Sequence, residues 1–157
     1  MPLVLATAAV IFVLDQLSKY YILHVLDLLS VQRLDVAPPF LVLRMTWNYG
    51  INFGLFGGGG EAARWGLIAL ALAITAGVLW WARTGAMGRM GHLSAGLLVG
   101  GALGNVIDRI LYGGVADFLN MSCCGFTNPY AFNVADIAIF LGALGLIFFT
   151  GDAKKTA

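Results

Sequence analysis

Long apolar runs, interrupted at intervals by single charged side chains, dominate the pattern of this chain. Four of these runs equal or approach the roughly 20 helical residues that cross a bilayer. They lie at about 3–23, 65–82, 92–112 and 132–150. The loop 24–64 separates the first run from the second, and the loop 113–131 separates the third from the fourth. The pattern therefore predicts an all-α membrane protein in which 1–157 forms a single polytopic domain with four transmembrane helices.

The first loop contains a pattern of a different period. In "FLVLRMTWN" apolar residues alternate with other side chains, as in a half-buried strand. One face would carry Leu41, Leu43, Met45 and Trp47, and the other Val42, Arg44 and Thr46. The preceding "VQRLDV" could pair with this strand, and the flexible run from Gly57 to Gly60 follows it. We expect a small extracytoplasmic β-sheet, with a short external helix or flap after it.

Composition supports a membrane protein and excludes some partners. Of the 157 residues 60% are hydrophobic and 11% are charged, and the mean hydropathy is +0.87. A net charge of +1 gives no basic surface for a polyanion, so we expect no nucleic acid partner. Cys123 and Cys124 are adjacent and lack a nearby histidine, which is not the spacing of metal ligands. We expect neither a metal nor another cofactor.

The distribution of basic residues predicts the orientation. Arg83 and Arg89 lie between the second and third runs, and Lys154 and Lys155 follow the fourth. By the positive-inside rule these segments face the cytoplasm. Both termini are then cytoplasmic, and the loops 24–64 and 113–131 lie outside.

Four acidic residues fall at one predicted depth, near the outer face of the membrane. They are Asp15, Asp108, Asp117 and Asp136. A charged side chain within a bilayer costs about 2.5–3.5 kcal/mol on insertion scales, so such acids usually pair, line a wet cavity or take part in a reaction.

Two of these acids have a cation within reach on the same helix. Asp15 and Lys19 are four residues apart, and Asp108 shares a helix face with Asn105 and Arg109. We expect both pairs to be structural or to support a site. The small-residue stripe of Gly96, Gly100 and Gly104 ends at Asp108, and such stripes usually mark close helix packing.

Asp117 and Asp136 have no cation nearby in sequence. If they approach each other, both cannot stay ionised, and the pair would supply an acid and a base at neutral pH. Such a pair can activate water against a carbonyl group. Conduction of ions or protons, and simple capping of a helix by Asp136, remain alternatives.

Five short motifs occur in the order and spacing typical of one enzyme family. These are "DQLSK" (15–19), "NYGINFG" (48–54), "GNVIDR" (104–109), "GGVADF" (113–118) and "FNVAD" (132–136). Together they cover nearly the whole chain, which resembles the lipoprotein signal peptidases, or signal peptidase II family.

The resemblance implies an intramembrane aspartyl endopeptidase of the bacterial cytoplasmic membrane. Its substrates are prolipoproteins, cleaved on the N-terminal side of a diacylglyceryl-modified cysteine within membrane lipid. Members have four transmembrane helices, an external sheet that holds the substrate, and a mobile external segment, which matches the residues after Gly57. The cyclic peptide globomycin inhibits the family, and no metal is required.

Carried over by position, the resemblance implies that Asp117 and Asp136 are the catalytic dyad. It gives supporting or substrate-binding roles to further positions. They are Asp15, Lys19, Asn48, Gly50, Asn105, Asp108, Arg109, Asn133 and Ala135. The chain departs from the common pattern at Ile51 and Asn52, where many relatives have two small residues.

Three other classes of protein would also place acids in apolar segments. A proton-coupled or cation-coupled transporter is one, although four spans without a second half form a poor translocation path. A metal-dependent hydrolase would use Asp108, Asp117 and Asp136 as ligands. In a purely structural membrane subunit the acids would serve stability alone.

Overall fold

The computed structural model describes residues 1–50, 60–85 and 87–150. The helices are α1 (Pro2–Tyr20), continued by a π-helical turn (Tyr21–Val25), α2 (Leu28–Val31), α3 (Glu61–Thr84), α4 (Arg89–Tyr112) and α5 (Val134–Phe149). The strands are β1 (Arg33–Ala37), β2 (Leu41–Asn48) and β3 (Val115–Asn120). The predicted flap after Gly57 lies outside the described residues. So do Ile51 and Asn52, where the chain departs from the common pattern of the family it resembles.

The long helices coincide with the predicted apolar runs to within a few residues. Within the described residues, three helical segments are long and apolar enough to cross a membrane: Pro2–Val25, Glu61–Thr84 and Arg89–Tyr112. The fourth run forms α5, which is apolar but has only 16 residues. Several apolar helices are therefore present, and four crossing segments remain a prediction.

Helix α4 is the centre of the helical layer, since it contacts α1, α3 and α5. Its glycine stripe lies against α1, as the small-residue spacing predicts. A Cβ added to Gly100 would lie 2.5 Å from the carbonyl oxygen of Ala8, and one on Gly104 would lie 2.5 Å from Asp15 Oδ2. The two helices approach this closely because α4 has no side chain there, and the close approach brings Asp108 next to α1.

The predicted sheet has three antiparallel strands in the order β1-β2-β3. Leu43 and Met45 of β2 are buried on one face against Leu23 and Leu28 from the end of α1 and from α2. The predicted apolar face of β2 is thus confirmed for Leu43 and Met45, whereas Val42, predicted on the opposite face, is buried as well. The third strand was not predicted, and it places Asp117 opposite Thr46 on the other face of the sheet.

The chain leaves α4 and enters β3 through a glycine turn. Gly113 has a φ of +83°, a left-handed conformation that glycine adopts without strain. β3 then pairs with Phe132: the Leu119 and Phe132 backbones exchange hydrogen bonds of 2.8 and 3.0 Å. Because α5 begins directly after Phe132, the acids on β3 and on the first turn of α5 are brought together.

Replacing Gly100 by alanine should destabilise the protein by about 1–3 kcal/mol, because the new methyl group collides with the α1 backbone. Thermal unfolding in detergent measures the change. Gly77→Ala in α3 is the matched control, since a Cβ there meets nothing within 4 Å. Equal unfolding midpoints for the two variants would contradict this account of the α1–α4 contact.

Candidate active site

Asp117 is held on β3 by two amide side chains. Its Oδ2 accepts a hydrogen bond of 3.1 Å from Asn48 Nδ2, and its Oδ1 accepts one of 2.7 Å from Asn133 Nδ2. Burial, and then the charge of Asp136, raise the pKa of Asp117 to about 7, although both amides act in the opposite direction. This carboxyl group can therefore hold or release a proton near neutral pH.

Asp136 lies in the first turn of α5 and forms a capping box with Asn133. Its Oδ2 accepts from the Asn133 backbone N–H at 3.2 Å, and Asn133 Oδ1 accepts from the Asp136 N–H at 2.9 Å. Its second oxygen, Oδ1, accepts a bond of 3.0 Å from Asn105 Nδ2 of α4. Asp136 therefore caps its helix and is also fixed from a second helix.

The side chain of Asn133 joins the two acids. Its Nδ2 donates to Asp117, whereas its Oδ1 caps the helix turn that carries Asp136. Asn133 is itself fully buried. The two carboxyl groups on either side of Asn133 lie near enough for the charge of Asp136 to raise the pKa of Asp117.

Lys19 is the cation of a buried cluster next to these acids. Its Nζ lies 2.7 Å from Asp15 Oδ2 and 2.8 Å from Asp108 Oδ2, and all three side chains are almost completely buried. The predicted Asp15–Lys19 pair is therefore confirmed. Asp108 forms its ion pair with Lys19, which the close α1–α4 packing supplies, and the charge of Arg109 on the same helix face also acts on Asp108.

The Lys19 cluster also binds the backbone beside each acid of the pair. Asp15 Oδ1 accepts from the Ala135 N–H at 2.9 Å, and Asp108 Oδ2 accepts from the Ala116 N–H at 3.2 Å. These alanines immediately precede Asp136 and Asp117, respectively. Two oxygens of one ion cluster thus position the α5 start and the β3 strand relative to each other.

Gln16 belongs to this cluster but was not identified from the sequence. Its Nε2 donates to Asp15 Oδ2 and to Asp108 Oδ1, each at 3.1 Å. The two acids are 93 positions apart, so only the helix packing reveals that one glutamine bridges them. No periodic pattern in the sequence marks its role.

Arg109 binds backbone carbonyl groups. Its Nη1 donates to the Asn105 oxygen at 3.3 Å and its Nη2 to the Gly50 oxygen at 3.0 Å. Its charge still acts on Asp117 and Asp136. Arg64 of α3, also missed in the sequence, fixes this end of α4 by donating to the Arg109 oxygen at 2.7 Å.

A cavity of about 520 Å³ opens beside Asp136 between α3, α4 and α5. Its polar lining includes Asn48, Asn105, Arg109 and Asp136. The remaining lining is mainly apolar: Leu67, Leu70, Ile74, Leu98 and Phe140, with smaller side chains between them. An apolar ligand could therefore lie along the helices with one end at Asp136.

Each residue that the resemblance named for the site lies in this one hydrogen-bonded network. The members are Asp15, Lys19, Asn48, Gly50, Asn105, Asp108, Arg109, Asp117, Asn133, Ala135 and Asp136. Among residues 1–50, 60–85 and 87–150, no three His, Cys, Asp or Glu side chains are arranged to hold a metal ion.

Comparison with known proteins finds extensive similarity. The family model described as signal peptidase (SPase) II matches residues 7–150. A protein named lipoprotein signal peptidase from Methylobacterium sp. (strain 4-46) is 44% identical over 144 residues, which is 91% of this chain and 85% of that one. The protein of that name from Rhodopseudomonas palustris (strain TIE-1) is 38% identical over 148 residues, 90% of this chain and 87% of its own.

Two solved structures share the fold. Both are described as bacterial membrane enzymes obtained by the in meso method. One superposes with a TM-score of 0.80 at 24% identity over 100% of this chain and 94% of its own. The other has a TM-score of 0.74 over 94% of this chain and 91% of its own.

Replacing Lys19 by methionine should cost about 3–5 kcal/mol, because Asp15 and Asp108 would be left buried without a cation. Thermal unfolding in detergent measures this loss. Adding Asp15→Asn and Asp108→Asn should restore part of the stability. The control is Glu61→Gln, which removes an ion pair of the exposed Glu61 with Arg64 and should cost no more than about 1 kcal/mol. A loss as small as this for Lys19→Met would refute the proposed importance of the cluster.

Proposed function

Because the chain belongs to the signal peptidase II family, we propose that Asp117 and Asp136 are its catalytic dyad. As a member of that family the protein is an aspartic-type peptidase that removes signal peptides from prolipoproteins. The bond cut is the one N-terminal to the diacylglyceryl-modified cysteine. The observation that carries the assignment of the dyad is that Asn133 joins both acids while burial raises the pKa of Asp117.

The dyad acts through one shared proton. The ionised carboxylate takes a proton from water as the water oxygen attacks the scissile carbonyl carbon, and the protonated carboxyl group donates to the carbonyl oxygen. In the second step a proton passes to the leaving nitrogen, and the carbon–nitrogen bond breaks. The dyad titrates as a pair, so the shared proton is assigned to both acids together.

The surrounding residues position the dyad and the substrate. Asn48, Asn105 and Asn133 orient the carboxyl groups through the hydrogen bonds described above. Lys19, with Asp15 and Asp108, fixes the backbone at Ala116 and Ala135. Arg109 holds Gly50 next to Asn48 and supplies positive charge near the reacting oxygens.

The apolar cavity beside Asp136 receives the signal peptide. Its lining by Leu67, Leu70 and Ile74 of α3 and by Phe140 of α5 suits the hydrophobic segment of a signal sequence. The polar end at Asn105 and Asp136 then faces the peptide bond to be cut. Membrane lipid surrounds the diacylglyceryl group.

The protein lies in the bacterial cytoplasmic membrane with four spans, the sheet and the dyad near the extracytoplasmic face, and both termini in the cytoplasm. Arg83 ends α3 and Arg89 begins α4, whereas Asp108 is close to the opposite end of α4. Arg89 and Asp108 are about 28 Å apart along the helix. The positive-inside rule therefore assigns the arginines to the cytoplasm and the acids to the outer side.

Replacing Asp117 or Asp136 by asparagine should reduce cleavage of a diacylated prolipoprotein at least about thousandfold, because either change removes one of the two proton-transfer groups. Cleavage is measured with the purified protein by gel shift, with globomycin as an inhibitor of the unmodified enzyme. Asp35→Asn, at an exposed acid on β1, is the control and should cleave normally. Cleavage by either variant at a rate close to that of the unmodified enzyme would refute the dyad, and variants that lose only stability would favour a structural role.

Activity should depend on pH in the direction set by Asp117. A carboxyl group whose pKa is raised to about 7 holds its proton below that pH and loses it as the pH rises. The singly protonated dyad is then lost, so kcat/KM should fall above about pH 7. Measuring kcat/KM below and above pH 7 in one detergent tests this prediction, and thermal unfolding at each pH is the control. A rate that keeps rising above pH 7 would contradict the assignment.

A further inference from the structure

A second cavity borders the sheet farther along β2, away from Thr46 and Asp117. Arg33 and Arg44 are directly opposite each other on β1 and β2, and both border this cavity of about 250 Å³. We call it the arginine cavity. Opposed like charges on neighbouring strands destabilise a sheet, so the pair is not explained by the packing of the strands.

The two guanidinium groups retain binding capacity. Arg33 Nε pairs with the exposed Asp35 at 2.9 Å, and Arg44 Nη2 donates to the Pro129 carbonyl oxygen. Within the described part of the chain, the other nitrogens of both groups have no hydrogen-bond partner. Two cations with one nearby carboxylate leave an excess of positive charge, which suits an anionic ligand.

Hydroxyl groups complete the polar lining. Ser122 and Thr127 border the arginine cavity. Ser122 Oγ accepts a bond of 3.0 Å from the Asn128 N–H, so its own O–H is available to donate. Guanidinium and hydroxyl donors around one cavity match the several oxygens of a phosphate group.

Large exposed apolar side chains stand next in sequence to several of the lining residues. Phe40 is 62% exposed and Phe126 66% exposed, and Val36 and Met121 are about half exposed. The Ser122 N–H donates to the Pro39 carbonyl oxygen at 3.2 Å, which holds the loop after β3 beside the turn between β1 and β2. Basic groups next to exposed aromatic side chains are typical of surfaces that contact the lipid headgroup layer.

We propose that Arg33 and Arg44 bind the phosphate group of an anionic membrane phospholipid, while Phe40 and Phe126 contact its glycerol and upper acyl region. β3 begins three residues after α4 ends, and only a π-helical turn and the short α2 separate α1 from β1, so the sheet lies near the membrane boundary. The apolar surroundings favour a lipid over an acidic peptide. This lipid site is separate from the dyad and does not depend on the role proposed for Asp117 and Asp136.

Native mass spectrometry of the full chain released from detergent tests the proposal. The probes are phosphatidylglycerol, a diacylglycerol without phosphate, and inorganic phosphate as a competitor. Phosphatidylglycerol should bind to the unmodified protein, and the double variant Arg33→Gln/Arg44→Gln should bind it about tenfold more weakly or worse. The matched control Arg83→Gln/Arg89→Gln, which removes two arginines far from the cavity, should change the affinity less than about twofold.

Two further variants separate the chemistry from loss of structure. Arg33→Gln alone changes an exposed side chain, so it should fold normally and still weaken phospholipid binding. Arg33→Lys/Arg44→Lys keeps both charges and should retain most of the binding. Thermal unfolding in detergent verifies that each protein is folded, and cleavage of prolipoprotein in detergent should continue in all of them.

The following binding results would overturn the proposal. They are unchanged phospholipid affinity in the folded Arg33→Gln variant, an equal loss in the control, equal binding of the diacylglycerol, and displacement of the lipid by inorganic phosphate at matched concentration. A higher KM only for substrates with acidic residues after the cysteine, with lipid affinity unchanged, would also overturn it and assign the arginines to the substrate.

Discussion

The charge of Lys19, buried between Asp15 and Asp108, is the interaction on which the rest of the site depends. The ammonium group is removed from water by the close contact of α1 with α4, and only two carboxylates at hydrogen-bonding distance make this burial tolerable. Each carboxylate then uses a remaining lone pair to accept a backbone N–H, one from Ala116 and one from Ala135. Helix packing, ion pairing and the placement of the two acids are therefore one coupled arrangement.

This arrangement explains how two acids on different elements are held together in an apolar protein. Asp117 lies on a strand and Asp136 on a helix, and neither element contacts the other through a large apolar surface of its own. Amide side chains connect the two elements instead. Asn133 bonds the Asp117 carboxylate and the Asp136 backbone N–H, and Asn105 links Asp136 to Lys19. Neutral amides orient the carboxyl groups without adding charge. Their hydrogen bonds lower the pKa of Asp117, but burial and the charge of Asp136 outweigh them.

The sequence predicted the helices well because a bilayer imposes a simple requirement of length and hydropathy on each segment. The alternation along β2 was equally clear, since Leu43 and Met45 face a core. The strand β3 was not predicted, because its pairing depends on β2 and Phe132, both distant in sequence. Of the site, the ion pair between Asp15 and Lys19 followed from helical spacing alone. The motifs pointed to Asp117 and Asp136 only through the resemblance.

By itself the sequence determined the apolar helices, the half-buried strand, the glycine stripe and the family. Each is encoded locally, by residues within a few turns or in short motifs. Only the tertiary structure decided that Asp108 forms its ion pair with Lys19, that Gln16 bridges two acids, and that Arg33 opposes Arg44. These contacts join residues from different elements, and the packing geometry that selects among the possible partners is not visible in the spacing of residues along the chain.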